Sequence, residues 1–403
     1  MASALTTGGM TSSAPSPVLV ALTGLLALAV AMGIGRFAFT PILPMMQADA
    51  GLSLAAGGWL ASANYLGYLL GALSAMVLRV QAPTAIRAGL VTIGITTLGM
   101  GVVHHVAAWV VLRLLAGVSS AWVLIYVSAW SLERLTPLRR PVLNSTVYAG
   151  VGAGIAVAGA FCLVLMHANA NSAHAWMGLG ILSLGATTWI WSMIRSHGAR
   201  TADASVVPRG HRWDAESVRL VFCYGSFGFG YIIPATFLPV MARDVIDDPA
   251  IFGWSWPVFG AAAASSTFAA AALARVMTNR RLWMVSQFTM AVGLAVPLLW
   301  PGIAGIMLAA LFVGGTFVVC TMVGLQEARL VAGPHATGLM AAMTAAFALG
   351  QILGPLTVSY AIKAGASMSA SLLVACALLL VSGGALTIPS SLLLRRPPPG
   401  TRR

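Results

Sequence analysis

The chain reads GIGRFAFTPILPMM at residues 33–46, and a related stretch, GFGYIIPATFLPVM, stands at residues 228–241. The alignment extends without a gap over residues 33–59 and 228–254, with nine identities in 27 positions, where about two are expected by chance from so biased a composition. In both copies an apolar stretch contains Gly-x-Gly and, further on, Leu-Pro. A short loop follows, and Gly-Trp then begins a second apolar stretch. A duplicated apolar plan of this kind is typical of secondary transporters, whose two related bundles move around a shared site.

The composition places the chain in a bilayer. Of 403 residues, 59% are hydrophobic and 8% are charged, whereas a soluble protein carries about 25% charged residues. The net charge of +13 comes from basic residues scattered over short loops, without the basic stripe and interleaved aromatics of a nucleic-acid binder. The four cysteines fall in apolar stretches without metal-ligand spacing, so we interpret them as buried apolar side chains.

Stretches of about 20 apolar residues, the length that crosses a bilayer, occur twelve times. We therefore predict an all-α integral membrane protein with twelve transmembrane helices in two pseudo-symmetric six-helix bundles. The predicted spans of the first half are 18–46, 54–78, 84–103, 107–131, 146–166 and 176–194. Those of the second half are 218–241, 254–277, 282–300, 304–327, 337–361 and 369–388.

The polar stretches between and around these spans divide the chain into domains. We predict an N-terminal tail at 1–17, a first bundle at 18–194, a linker at 195–217, a second bundle at 218–388 and a C-terminal tail at 389–403. If the N-terminus is cytoplasmic, 18 of the 22 basic residues lie in inside loops and tails. The positive-inside rule then predicts that both termini are cytoplasmic, which an even number of spans allows.

Two arginines, Arg36 and Arg113, lie within predicted spans. A charge that faces lipid costs roughly 2.5–3.5 kcal/mol or more, so both side chains are expected to face the protein interior. We found no acidic residue at comparable depth in the sequence to neutralise them. One hypothesis is that Arg36, together with Arg113, receives a carboxylate or another small anion. The alternative is that they bond backbone carbonyls near Pro41, Pro44 and the glycines and pin the first helix to the fourth.

Several other polar residues within spans are candidates for the substrate site. Tyr231 takes the place of Arg36 in the second repeat, so the pair is placed to grip a ligand from both bundles. Thr40 shares a face of the first helix with Arg36. Asn64, Tyr68 and Gln351 are also explained by helix–helix hydrogen bonds. The predicted substrate-binding residues are Arg36, Thr40, Asn64, Tyr68, Arg113, Tyr231 and Gln351.

A second set of residues is predicted to act between the bundles. Gly150-x-x-x-Gly154 and Gly350-x-x-x-Gly354 lie 200 positions apart, and such small-residue spacing lets helices approach closely and slide. We assign both seams to the hinge between the bundles. Glu133 and Glu327 stand at equivalent places in the repeat and are expected to pair with loop arginines and latch a gate, although single exposed ion pairs contribute little.

The sequence contains no motif for chemistry. All seven histidines lie at span ends or in loops, and no catalytic triad, metal cluster, phosphate loop or ATPase motif is recognisable. We therefore predict that the chain is not an enzyme and needs no cofactor.

The twelve-span, two-half plan resembles the major facilitator superfamily. Residues 33–46, together with 59–72 and 228–243, look like the signature of its YbfB/YjiJ-type branch, a bacterial inner-membrane group. Arg113-x-x-x-Gly117 resembles a fourth-helix motif linked to proton coupling in the superfamily. Two features depart from it: the loop after the second span lacks the usual Asp-Arg, and Ile155 stands where the antiporter motif has proline.

The sequence thus predicts a secondary active transporter that moves a small anionic or amphipathic organic solute by alternating access. Two alternatives stay open: an efflux transporter of hydrophobic drugs, and a membrane sensor or scaffold that transports nothing. The expected partners are a small-molecule substrate and the lipid bilayer, with proton coupling undecided and a monomer as the expected state. The expected location is the bacterial inner membrane.

Overall fold

The computed structural model describes residues 16–78, 80–194, 213–243, 249–300, 302–365 and 367–388, and their regular structure is helical throughout. The first half contains α1 (Pro17–Leu28), a π-helical stretch (Ala29–Phe37), α2 (Phe39–Asp49), α3 (Leu54–Val77), α4 (Ala82–Val102), α5 (Val106–Leu135), α6 (Pro141–His167) and α7 (Ser172–Met193). The second half contains α8 (Ala215–Arg243), α9 (Pro249–Leu273), α10 (Asn279–Leu299), α11 (Ile303–Ala332), α12 (Ala336–Lys363) and α13 (Met368–Ala385).

Each of the twelve predicted spans falls on one long helical segment, the first of which is α1, the π-helical stretch and α2 together. By length and apolar composition alone, nine stretches of the described residues qualify as membrane spans. This number is lower than twelve for three reasons. Ile303–Val358 counts as one stretch although it includes α11 and most of α12. The described part of α13 is too short to count, and α7 is not among the stretches that qualify.

The first span is the least regular. Ser16 caps α1 by accepting a hydrogen bond from the Leu19 N–H at 3.2 Å, with Pro17 at the first helical position. The backbone then widens into the π-helical stretch, which ends just before α2. Pro41 and Pro44 have no N–H to donate to the preceding turn, and the glycines at 33 and 35 weaken the helix there. Nearby side chains bond the carbonyls of this stretch, as described below.

The helix contacts of the first half are repeated in the second. The first span packs on α6, α3 on α5 and α4 on α7; correspondingly, α8 packs on α12, α9 on α11 and α10 on α13. The two halves meet where α6 packs on α9 and α3 packs on α12. The predicted domain boundaries stay predictions: most of the linker, residues 195–212, and nearly all of both tails lie outside the described residues, and α8 begins at Ala215, before the predicted 218.

The two Gly-x-x-x-Gly seams lie inside the halves, which differs from the expected position between them. A Cβ on Gly150 or Gly154 would collide with the α1 and π-stretch backbone at Leu25 and Ala29. Likewise, a Cβ on Gly350 or Gly354 would collide with α8 atoms, at the Gly225 carbonyl and the Ile232 side chain respectively. The glycine spacing indicates that another helix packs closely against each of these helices, but it does not identify that helix.

A different pair of glycines lies where the halves meet. A Cβ on Gly152 would collide with the backbone at Gly260 and Ala264 of α9, and one on Gly260 would collide with Gly152 and Ala156 of α6. The close crossing of α6 and α9 therefore depends on Gly152 and Gly260.

Candidate functional site

Arg36 lies near the end of the π-helical stretch and is 4% exposed. Its Nη2 donates a hydrogen bond to Oε1 of Gln351 on α12, in the other half of the chain. The guanidinium carbon lies 3.8 Å from the centre of the Tyr68 ring, and 5.6 Å from that of Phe37. The Arg36 Nε and Nη1 have no hydrogen-bond partner among the described residues. The side chain is thus held on one side and has donors to spare.

A small cavity adjoins Arg36 between the two halves. About 20 Å³ of it is open to the centres of water molecules, which is room for about one water and far below the roughly 300–1,000 Å³ of a pocket for an organic ligand. The first half contributes Met32, Arg36, Phe37, Tyr68, Leu124 and Val151 to the walls, and the second contributes Tyr224, Phe317, Val318, Thr321 and Phe347. Five of these eleven side chains are aromatic, and one is charged.

Arg113 supports the backbone behind Arg36. Its Nη1 donates to the Gly35 carbonyl and its Nη2 to the Arg36 carbonyl, each at 3.1 Å. Asn64 Nδ2 donates to the Arg113 carbonyl at 3.0 Å and lies 3.5 Å from the Gly35 carbonyl. Ser120 donates to the Ala31 carbonyl at 2.8 Å. For Arg113 this is the geometry of the helix-pinning alternative, and neither Arg113 nor Asn64 is part of the cavity wall.

The other predicted site residues take different positions. Tyr68 lines the cavity, whereas Thr40 is exposed on α2 and does not. Tyr231 is buried one aromatic layer behind the wall: its ring stacks on Phe317 at 4.9 Å and on Phe347 at 6.3 Å. The structure therefore brings Arg36, Tyr68 and Gln351 together, whereas Tyr231 contacts two rings of the wall and does not line the cavity.

No acidic side chain among the described residues forms an ion pair with Arg36 or Arg113; the ion pairs lie elsewhere. Glu327 is buried and accepts from Arg280 Nε at 2.5 Å, while Arg280 also pairs with Glu216 at 2.6 Å. Its repeat mate Glu133 has a side chain that is 63% exposed, 3.8 Å from Arg134. The buried pairs join α8, α10 and α11 within the second half, so in this conformation neither glutamate bridges the halves.

Sequence reasoning missed the aromatic wall of the second half. Phe347 lies one helical turn before Gln351 on α12, so the two share a face, and this spacing was the available signal. For Phe317 and Tyr224 no comparable signal stands out, because an aromatic residue in an apolar span is usually a packing residue.

The fold and the comparisons with known proteins define a class: an all-α, multi-pass membrane transporter of the major facilitator superfamily. The chain belongs to the family described as uncharacterised MFS-type transporter YbfB, whose profile matches residues 28–387. Among solved structures, it is similar to the human organic anion transporter MFSD10 (TETRAN), with a TM-score of 0.70, 15% sequence identity, and coverage of 93% of this chain and 100% of that chain. No curated protein matches the chain.

These findings confirm the predicted superfamily, branch and twelve-span fold class. The chain is a multi-pass membrane transporter and not an enzyme. The family description gives no substrate, and the similarity to the human structure, at this identity, shows the fold alone.

Proposed function

We propose that the protein moves a small organic anion across the membrane by alternating access, with Arg36 as the residue that receives the negative charge. This proposal depends on the surroundings of the Arg36 guanidinium. It is buried beside a cavity between the halves, it has no acidic partner among the described residues, and two of its nitrogens have no hydrogen-bond partner there.

The physical argument is that of an uncompensated charge. A buried cation without a counter-ion is costly, and an anion that reaches it regains both Coulomb energy and hydrogen bonds. An organic cation would meet repulsion in the same place, which favours anions over cationic drugs. The human transporter of similar fold is named for organic anions, so a fold of this kind accommodates such cargo.

The small cavity is consistent with a conformation between the two open ones. A pocket with room for about one water does not hold an organic solute, so the halves must part for binding. Lining residues from both halves surround the same point, and movement of one half against the other would expose it to either side of the membrane. We further propose that the protein lies in a bacterial inner membrane, as the resemblance to the YbfB/YjiJ-type branch implies. The distribution of its basic residues supports an orientation with both termini in the cytoplasm.

The test begins with purified full-length protein and its thermal stability in the presence of lactate, citrate, benzoate, choline or glucose. Ligands that raise the melting temperature are then measured for flux into proteoliposomes, which distinguishes a transporter from a sensor or scaffold. Arg36→Gln is expected to abolish flux of the anion while membrane insertion and folding persist. Arg87→Gln is the control, because Arg87 is likewise a hydrogen-bonded arginine of the first half, with bonds to the Trp191 and Ile194 carbonyls, but does not line the cavity. Stabilisation by choline alone, or anion flux that survives Arg36→Gln, would overturn the proposal.

A further inference from the structure

We infer that the cargo is a planar aromatic monocarboxylate, with its carboxylate on Arg36 and its flat ring among the aromatic side chains of the cavity. This inference rests on the proposed function, since it assigns the chemistry of the solute at the same site. Three properties of the described residues lead to it: the number of charges, the arrangement of free donors and the composition of the walls.

The charge of the site matches one negative charge. Arg36 is the one charged side chain of the cavity wall. The other buried arginine, Arg113, directs two of its nitrogens to backbone carbonyls and lies over the rings of Phe39, at 5.0 Å, and Trp176, at 6.0 Å. A dicarboxylate would bring a second charge into apolar surroundings without a partner, which is strongly unfavourable. The cargo is therefore a monoanion.

The free donors match a carboxylate. A guanidinium can offer a carboxylate two pairs of parallel donors, Nε with Nη2 or Nη1 with Nη2. Each pair uses one of the two hydrogens on Nη2. Gln351 accepts from Nη2 of Arg36 and so takes one of those hydrogens, while Nε and Nη1 have no partner among the described residues. One complete two-donor edge is left for the two oxygens of a carboxylate. The Gln351 amide oxygen must face Arg36, because a guanidinium only donates; the amide nitrogen, which is also unpartnered there, adds a donor next to it.

The cavity walls are more complementary to a solute with an aromatic ring than to a polar or a purely aliphatic solute. Phe37, Tyr68, Tyr224, Phe317 and Phe347 line the cavity. Thr321, the non-aromatic hydroxyl of the wall, already donates to the Phe317 carbonyl at 3.0 Å. A sugar or polyol would leave most of its hydroxyls without partners. An aromatic ring gains edge-to-face and offset contacts with such walls, and each contact is worth about 2- to 10-fold in affinity beyond buried area.

The experiment compares four probes that differ in one property each: benzoate, cyclohexanecarboxylate, benzamide and terephthalate. Binding to the full-length protein is measured by thermal shift, and uptake of radiolabelled benzoate into proteoliposomes is measured in competition with the other three, at about pH 7.5 where the carboxylates are ionised. We expect benzoate to bind about 5-fold tighter than cyclohexanecarboxylate. Benzamide, which lacks the charge, and terephthalate, which has a second one, are expected to bind at least about 10-fold more weakly than benzoate.

Two variants locate the effect in the cavity. Phe347→Leu keeps an apolar side chain but removes the wall ring nearest Gln351 in sequence. The affinity for benzoate is expected to fall by about 2- to 10-fold, and the affinity for cyclohexanecarboxylate is expected to change less. Phe259→Leu is the matched control: its ring stacks on Phe317 at 5.4 Å but does not line the cavity. An equal loss of benzoate binding in both variants would contradict direct ring contact.

The outcomes separate this inference from the proposed function. Equal affinity for cyclohexanecarboxylate and benzoate, or tighter binding of terephthalate, overturns the aromatic monocarboxylate even if binding is lost in Arg36→Gln. So does failure of benzoate to bind when another organic anion is transported in an Arg36-dependent way; in both cases the proposed function survives. Binding of benzamide as tight as that of benzoate, unchanged in Arg36→Gln, overturns both.

Discussion

Arg36 of the first span donates a hydrogen bond to the amide oxygen of Gln351 on α12, and this bond joins the two halves of the transporter beside the central cavity. The amide oxygen takes one hydrogen of Nη2 and leaves a complete two-donor edge of the guanidinium for an anionic ligand. It therefore stabilises the approach of the halves without neutralising the cation. Gln351 holds the guanidinium in place and leaves its charge available to the cargo.

Gln351→Glu tests this relationship, because it places a carboxylate of the chain itself against Arg36. The present bond already has a charged donor, and a carboxylate acceptor adds a Coulomb attraction that is strong in low-dielectric surroundings. We expect the melting temperature of the protein to rise and flux of the anion to fall at least about 10-fold, because the new carboxylate neutralises the charge that would attract the anion. Thermal unfolding and proteoliposome uptake measure the two effects.

The control for that substitution is the double variant Arg36→Gln with Gln351→Glu. The gain in melting temperature is expected to vanish there, because the new carboxylate then has no cation beside it, and a double-mutant cycle isolates the pairwise term. Stabilisation of equal size in both backgrounds would show that the introduced carboxylate acts through some other contact.

The sequence predicted the helices and the central arginine because both follow from the cost of polar groups in a bilayer. Span length and apolar composition locate the helices to within about five residues, and the ends of α5 and α11 show one cause of the difference. There the helices continue past predicted 131 and 327 to Leu135 and Ala332, since polar residues such as Glu133 and Arg329 end the apolar stretch without ending the helix. Arg36 was found because no acid accompanies it in the sequence.

The partners of these residues were not predictable in the same way. A glycine seam indicates close approach but not the neighbouring helix, and so the Gly150 and Gly350 seams were assigned to the wrong neighbours. The π-helical stretch depends on bonds from Arg113, Ser120 and Asn64, which are distant in sequence. Tyr231 matched Arg36 in the repeat, yet its ring packs on two phenylalanines of the cavity wall, from α11 and α12, and does not line the cavity itself.

Arg113→Lys is expected to loosen the backbone that positions Arg36. A lysine ammonium reaches one carbonyl as a point charge, whereas the guanidinium spans those of Gly35 and Arg36. Losing one charge-assisted hydrogen bond should lower the free energy of unfolding by about 1.5–3 kcal/mol and weaken anion binding. Arg87→Lys is the comparison: Arg87 bonds two carbonyls at the end of α7 from Nη2 alone, at 2.5 and 3.0 Å, and does not line the cavity. Any loss of stability in that variant should leave anion binding unchanged. Weaker binding in both variants would mean that lost stability alone explains the effect.

Gly152→Ala is expected to disturb the crossing of the two halves. The added methyl group would meet the backbone of α9 at Gly260 and Ala264, and backbone cannot give way as a flexible side chain can. We expect flux to fall at least about 10-fold while each half stays folded. Gly185→Ala serves as the control, since a Cβ there meets nothing within 4 Å; Gly152→Ala that transports as well as Gly185→Ala would show that the crossing tolerates separation.

Glu327 and Glu133 are expected to differ in their contributions to stability although they occupy equivalent positions in the repeat. Glu327 is buried and bonds Arg280, which Glu216 also contacts, and removing one member of a buried pair costs about 3–5 kcal/mol. Because Glu216 continues to compensate Arg280, we expect Glu327→Gln to lower the free energy of unfolding by somewhat less, about 2–3 kcal/mol. Glu133 is exposed and lies 3.8 Å from Arg134. Glu133→Gln should therefore change the free energy of unfolding by about 0.5 kcal/mol or less. Thermal unfolding of the two purified variants checks the contrast, and equal destabilisation would mean that Glu133 also has a buried partner in some conformation, as a gate between the halves would require.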